Sequence, residues 1–146
     1  MSGEQNKEIF RRMIDEVWNK QNLDAADQLF AADHTSPDAA QLPSGPQGVK
    51  LVAGTFLKGI PDLKIEIEDL VASGDRVAGR LRERGTHTGD LMGIPPSGKA
   101  VDFGELAILR IAGGKIAESW YQPDMATMLQ QIGAIPAFGA PAPAAR

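Results

Sequence analysis

Apolar residues recur at helical spacing near the start of the chain. Ile9, Phe10, Met13, Ile14, Val17 and Trp18 fall on one side of a 3.6-residue repeat, with Glu8, Arg11, Arg12, Asp15 and Glu16 opposite. This pattern predicts an amphipathic helix that covers a core. A second, short helix is expected from Asp24 to Phe30, ending near Asp33-His34-Thr35-Ser36-Pro37, where polar turn formers and a proline gather. A third begins near Pro46, a residue suited to a first helical turn, and carries Val49, Val52, Ala53, Phe56 and Leu57 on one side.

After Ile60-Pro61-Asp62 the period changes to two: Leu63, Ile65 and Ile67 alternate with Lys64, Glu66 and Glu68. Ser73-Gly74-Asp75 reads as a tight turn into a second strand, Arg76 to about Gly85. A third strand, Val101 to Ile111, and a fourth, Lys115 to Tyr121, flank Ala112-Gly113-Gly114. Pro123 is expected to open a last short helix with Met125, Met128, Leu129 and Ile132 as its apolar side, stopped by Gly133. Asp124 then reads as a carboxylate in the first turn of that helix, favoured by its dipole. Helices first and consecutive antiparallel strands afterwards specify an α+β domain over residues 1–133, with the helices segregated onto one sheet face. Residues 134–146 hold three prolines and six alanines and read as a flexible tail.

At 146 residues, 42% hydrophobic and 23% charged, the chain can bury one ordinary core and a modest pocket. A formal net charge of -4 argues against a nucleic-acid partner, which demands clustered cation excess. Arg80, Arg82 and Arg84 alternate along one strand and so share a single, solvated outer face. With no cysteine, disulfides and thiolate chemistry are excluded. His34 and His87, the two histidines, show no metal spacing, so neither a metal nor a cofactor is expected. No apolar stretch reaches membrane length, and a cytoplasmic protein with no membrane partner is expected.

Between the second and third strands lies Gly85-Thr86-His87-Thr88-Gly89-Asp90-Leu91-Met92-Gly93-Ile94-Pro95-Pro96-Ser97-Gly98-Lys99, with four glycines, a Pro-Pro pair and one histidine. Such a segment is built for one shape. Taken with Trp18-Asn19, the run Phe56 to Leu63 ending Ile-Pro-Asp-Leu, Gly74-Asp75-Arg76-Val77, Gly114-Lys115-Ile116-x-Glu118-x-Trp120 and Gln131-Ile132-Gly133, it resembles the SnoaL-like polyketide (ester) cyclases of the nuclear transport factor two-like superfamily. The resemblance spans residues 6 to 133. It implies a cone-shaped α+β barrel, a curved, mostly antiparallel sheet with three N-terminal helices on its concave face and a short C-terminal helix, whose mouth receives a small apolar molecule.

The register of the last hairpin decides which side chains enter that cone. A three-residue link sets Ile111 opposite Lys115, Ala107 opposite Ser119 and Glu105 opposite Tyr121, and turns Val101, Phe103, Glu105, Ala107, Leu109, Ala117, Ser119 and Tyr121 inward. A two-residue link sends Glu118, Trp120 and Gln122 inward instead. The resemblance favours the first, because the family's polar site residues correspond to positions 105, 107, 119 and 121. The outer face would then carry Leu106, Ile108, Ile116 and Trp120 and suit a homodimer contact. Val77, Gly79 and Leu81 would point inward, with Glu83 and His87 at the mouth.

The resemblance also exposes a departure. The characterised cyclases carry an aspartate, the proposed acid/base, where this chain has Tyr121, and a histidine where it has Ser119. Glu105, walled by apolar neighbours, is the candidate replacement: desolvation raises a carboxyl pKa and suits it to take a proton beside a carbonyl near neutral pH. Tyr121 would donate to the enolate oxygen and His87 would assist from the rim or orient the loop. Ser119, Phe103, Ala107, Trp18 and His34, the last in a turn overhanging the pocket, complete the candidate substrate site. Two function classes follow: an enzyme without cofactor, cyclising or isomerising a polyketide-type carbonyl compound by enolisation, or a binding protein that kept the pocket alone. A hydrolase or hydratase acting through Glu105 and a water is a third reading.

Overall fold

Ser2 opens the first helix, α1 (Gly3–Arg12), with a reciprocal cap: Gln5 N donates to Ser2 Oγ at 3.1 Å and Ser2 N donates to Gln5 Oε1 at 2.8 Å. The computed structural model describes residues 2–136, and the expected tail falls largely on residues outside that range. Beyond Arg12 the helix widens into π turns over Met13–Asn19, and its apolar stripe stays buried as the spacing predicts. Asn19 fastens the far end to the sheet, donating to Ile65 O at 2.9 Å and accepting from Ile65 N at 2.7 Å. A short helix α2 (Ala26–Leu29), entered through a 3-10 turn, and a long α3 (Pro46–Gly59) complete the layer.

The expected second helix stops at Leu29, one residue early, and Phe30–Thr35 forms a strand, β1, that the pattern does not announce. The segment Phe-Ala-Ala-Asp-His-Thr has no clean alternation because β1 lies at the sheet edge, with only Phe30 and His34 buried. The other strands follow the expected runs: β2 (Lys64–Ser73), β3 (Arg76–Thr86), β4 (Ala100–Ala112) and β5 (Lys115–Pro123). Their order is β1-β5-β4-β3-β2, antiparallel except for the parallel β1–β5 pair. Helix α4 (Met125–Gln131) starts two residues later than expected. Pro123 ends β5, and Asp124 caps α4 by accepting from Thr127 N at 3.0 Å.

The β4–β5 hairpin departs from both registers. Its link is two residues, Gly113 and Gly114, with φ of 58° and 77°, values that suit a turn closed to most side chains. Ala112 therefore faces Lys115 and Ile111 faces Ile116. A bulge at Ala117 then inserts one residue, after which Leu109 faces Ser119, Ala107 faces Tyr121 and Glu105 faces Pro123. The bulge undoes the reversal that the short link would impose, so Ser119 and Tyr121 still turn inward. Ile116, expected outside, is fully buried.

On the outer face, Val71, Ala78, Ile108 and Trp120 stand directly opposite one another across β2, β3, β4 and β5. Val71, Ile108 and neighbouring Leu106 are exposed. Arg80, Arg82 and Arg84 also point outward, paired with Glu66, Glu68, Asp69 and Asp102. Among the described residues no helix is long and apolar enough to cross a membrane.

Candidate active site

Between the helical layer and the inner sheet face lies a cavity of about 440 Å³. Ile14 and Trp18 from the first helix, Val52 and Phe56 from α3, Ile65 from β2 and Phe103 from β4 form its apolar wall. The Trp18 and Phe56 rings pack with centroids 6.3 Å apart, fixing one side of that wall. Its polar groups come from the strands: Glu83, Glu105, Ser119 and Tyr121, with His34 and Ser36 at the β1 end.

Two carboxyls meet here. Leu81 faces Glu105 and Glu83 faces Phe103, so Glu83 and Glu105 are diagonal neighbours on the inner face of adjacent antiparallel strands. Placed this way, either carboxyl can donate to the other only while it carries a proton. Burial pushes the Glu83 carboxyl up to about 10, and the Glu105 charge adds to the effect. Glu105 is also raised by desolvation, but the bond from Glu83 opposes the shift. Glu83 is 4% exposed, whereas Glu105 is only half-buried and reaches the cavity. The sequence reading placed Glu83 at the mouth; it lies inside, because the strand alternation that turns Val77, Gly79 and Leu81 inward continues through residue 83.

Tyr121 enters beside Glu105. Desolvation raises its phenol pKa, the nearby Glu105 charge adds to that, and a bond with Ser119 opposes it, so the phenol keeps its proton at any physiological pH. Behind it, Ser119 Oγ lies 2.8 Å from His34 Nε2 and 3.0 Å from Ser36 Oγ. His34 is buried on β1 rather than in a turn, and desolvation lowers its pKa, with the Gly45 backbone bond acting the other way. The ring is therefore neutral at pH 7. Nε2 and the Ser119 hydroxyl share one hydrogen bond, whose direction is set by the tautomer of the neutral ring.

Comparisons with known proteins agree on family and fold. Residues 8–132 fit the family described as SnoaL-like polyketide cyclase. The chain belongs to that family. It is 25% identical over 130 residues to aklanonic acid methyl ester cyclase DnrD of Streptomyces peucetius, covering 86% of this chain and 89% of that one. To the nogalonic acid methyl ester cyclase of Streptomyces nogalater it is 26% identical over 123 residues, 80% of this chain and 90% of that one. A SnoaL-like polyketide cyclase structure from Agrobacterium tumefaciens superposes with TM-score 0.75 at 26% identity, covering 91% and 100% of the two chains. TsrD from Streptomyces laurentii shares the fold, with TM-score 0.84 at 23% identity and coverage of 92% and 99%.

Within this SnoaL-like frame, six of the expected site residues line the cavity together: Trp18, His34, Phe103, Glu105, Ser119 and Tyr121. Two do not. Ala107 is buried beneath the cavity lining, and its side chain is too short to reach past its neighbours. His87, expected at the rim, is fully buried inside its own loop: Ser97 N donates to its Nδ1 at 3.2 Å, and its backbone bonds Lys99 O and Gly98 N. It orders the segment from Gly85 to Lys99 and does not face the cavity. Sequence reasoning missed Glu83 as a partner of Glu105, although the period of β3 signals its inward direction, and missed Ser36, for which no sequence signal exists. Among the described residues no group of three or more His, Asp or Glu is placed to hold a metal ion.

Proposed function

We propose that this protein is a cofactor-independent acid/base enzyme that cyclises or isomerises a polyketide-type carbonyl compound through an enolate. The carrying observation is Glu105, a carboxylate facing the cavity, whose wall includes Phe103, Leu81 and Ile65. Such surroundings raise its basicity toward the neutral range, where proton abstraction beside a carbonyl is most efficient. Glu105 takes the α-proton, and Tyr121 donates its hydroxyl hydrogen to the developing enolate oxygen. The enolate carbon attacks a second carbonyl of the same substrate, and Glu105 returns its proton to the alkoxide formed. The cavity volume suits one small substrate.

Among the described residues the charged groups lining the cavity, Asp38, Glu83 and Glu105, are all acidic, and no lysine or arginine lines it. A free carboxylate would meet repulsion with no cation to offset it, so the substrate is an ester rather than the corresponding acid. Methyl ester substrates named for the curated relatives are consistent with that choice. A second copy of the chain covers the outer row Val71, Ala78, Ile108 and Trp120.

The test is turnover of aklanonic acid methyl ester and nogalonic acid methyl ester by the purified protein, beside the free acids. Glu105→Gln is expected to abolish turnover while binding persists, and the esters are expected to bind more tightly than the acids. Binding of the esters with no turnover by the parent protein would favour the non-catalytic binding protein instead.

A further inference from the structure

We propose that Glu83 and Glu105 act as one acid–carboxylate pair sharing a single proton, held by Glu83 and donated to Glu105, which makes Glu83 the positioning residue for the base. The inference rests on the enolising role given to Glu105 but assigns a function to a residue that never needs to touch substrate. Its ground is placement. Diagonal inward positions on β3 and β4 bring the two carboxyls together in the wall of the cavity, with Glu83 the more deeply buried of the two. Two carboxylates cannot both ionise at such a separation in apolar surroundings, and two neutral acids would leave no base. The singly protonated pair is the one state that provides both an acceptor for the α-proton and a fixed direction for it.

The asymmetry of burial decides which member holds the proton. Glu83 is shut in by Phe103, Leu81 and the strands on either side, so charge is costlier there than on half-buried Glu105. Ionisable groups facing the pair from the other elements are Tyr121 on β5, His34 on β1 and Asp38 in the segment after β1. The first helix, α3 and β2 bring only apolar side chains to the cavity, among them Ile14, Val52 and Ile65. Among the described residues no lysine or arginine lines the cavity to let both carboxyls ionise. Through a reaction cycle Glu83 keeps its proton. Glu105 gains one from the substrate carbon and gives it up to the new alkoxide, so the pair passes from one proton to two and back, and the protons balance.

The first test needs no turnover. Protein labelled with ¹³C at the glutamate side-chain carboxyl is titrated by NMR as parent, Glu83→Gln and Glu105→Gln. The parent should show one protonated carboxyl at neutral pH, absent from Glu83→Gln. In Glu105→Gln the remaining Glu83 should titrate at lower pH than in the parent, because the neighbouring charge is gone. Two carboxyls ionising independently in the ordinary range would overturn the pairing. The second test is the pH dependence of turnover with the methyl ester probes. The parent should give a bell. Glu83→Gln keeps a donor toward Glu105 and should retain the acid limb while losing the alkaline one. Glu83→Leu removes the donor, and should lower kcat by about tenfold or more and move the acid limb to higher pH. A Glu83→Leu profile that superimposes on the parent would overturn the positioning role. If neither ester turns over, the enolising function fails by itself and the NMR titration still decides the pair.

Discussion

His34 Nε2 and Ser119 Oγ, 2.8 Å apart, join the edge strand β1 to β5 beneath the cavity, and the bond fixes the direction in which β5 presents Tyr121. Because desolvation lowers the His34 pKa, the folded ring resists a proton that the unfolded ring accepts near pH 6.5. The His34 contribution to stability is therefore complete above pH 6.5 and falls as pH drops below it, until the folded ring is protonated as well. One such group gives a slope of up to about 1.4 kcal/mol per pH unit. Between pH 5 and 7.5 the difference in unfolding free energy between the parent and His34→Gln should carry that slope, because the opposing Glu83 contribution is common to both proteins.

Ser119→Ala removes the hydroxyl that satisfies the buried His34 nitrogen and bonds Ser36. Leaving a buried ring nitrogen unpartnered costs roughly 1–3 kcal/mol. The variant should unfold at correspondingly lower denaturant concentration with an unchanged m-value, and a loss below about 0.3 kcal/mol would mean that water replaces the hydroxyl without penalty.

Glu83 gives the opposite pH dependence. Its folded pKa is raised, so the stability it contributes is complete below the unfolded value near 4.5 and is lost as pH rises through neutrality. Glu83→Gln should match the parent near pH 4 and exceed it in thermal midpoint at pH 8. A parent protein that is the more stable of the two at pH 8 would show the carboxylate to be satisfied in charged form.

Gly89 N donates to Gly59 O at 3.0 Å, laying the Gly/Pro loop across the end of α3. A Cβ at residue 89 would run into the Lys58 carbonyl oxygen, a backbone atom that cannot swing away. Gly89→Ala should therefore cost about 1–3 kcal/mol in chemical unfolding, with hydrogen exchange accelerating at His87 and Gly98 as the loop lifts.

The strands from Ile65 onward were legible because their inner faces are buried and their outer faces are wet, so the side chains alternate. The same alternation carried through β3 would have turned Glu83 inward. The first helix was legible for a similar reason, its apolar stripe being the part that meets the sheet. Edge strand β1 was not: its pairing is parallel and long-range, and His34 reaches the cavity through contacts with Ser119, 85 residues away. The bulge at Ala117 was equally hidden, since an inserted residue leaves no trace in an Ile-Ala-Glu-Ser run. It also explains why a hairpin with the wrong link length still sends Ser119 and Tyr121 to the expected side.

The row Val71, Ala78, Ile108 and Trp120 runs across four strands in register, with Ile108 41% exposed within it and Leu106 59% exposed beside it. Arg76 lies over the Trp120 ring at 5.3 Å, so one end of the row is capped by a cation and the rest is open. Apolar area of this kind is worth covering at about 25 cal/mol per Å², and a twofold contact would bury the row of each copy. Replacing both Leu106 and Ile108 with glutamate places like charges at the centre of that contact while leaving the inner face and the cavity untouched. Sedimentation equilibrium should then report a dimer for the parent and a monomer for the double variant, with unchanged far-UV dichroism. A parent protein that sediments as a monomer at micromolar concentration would assign the row to some other role.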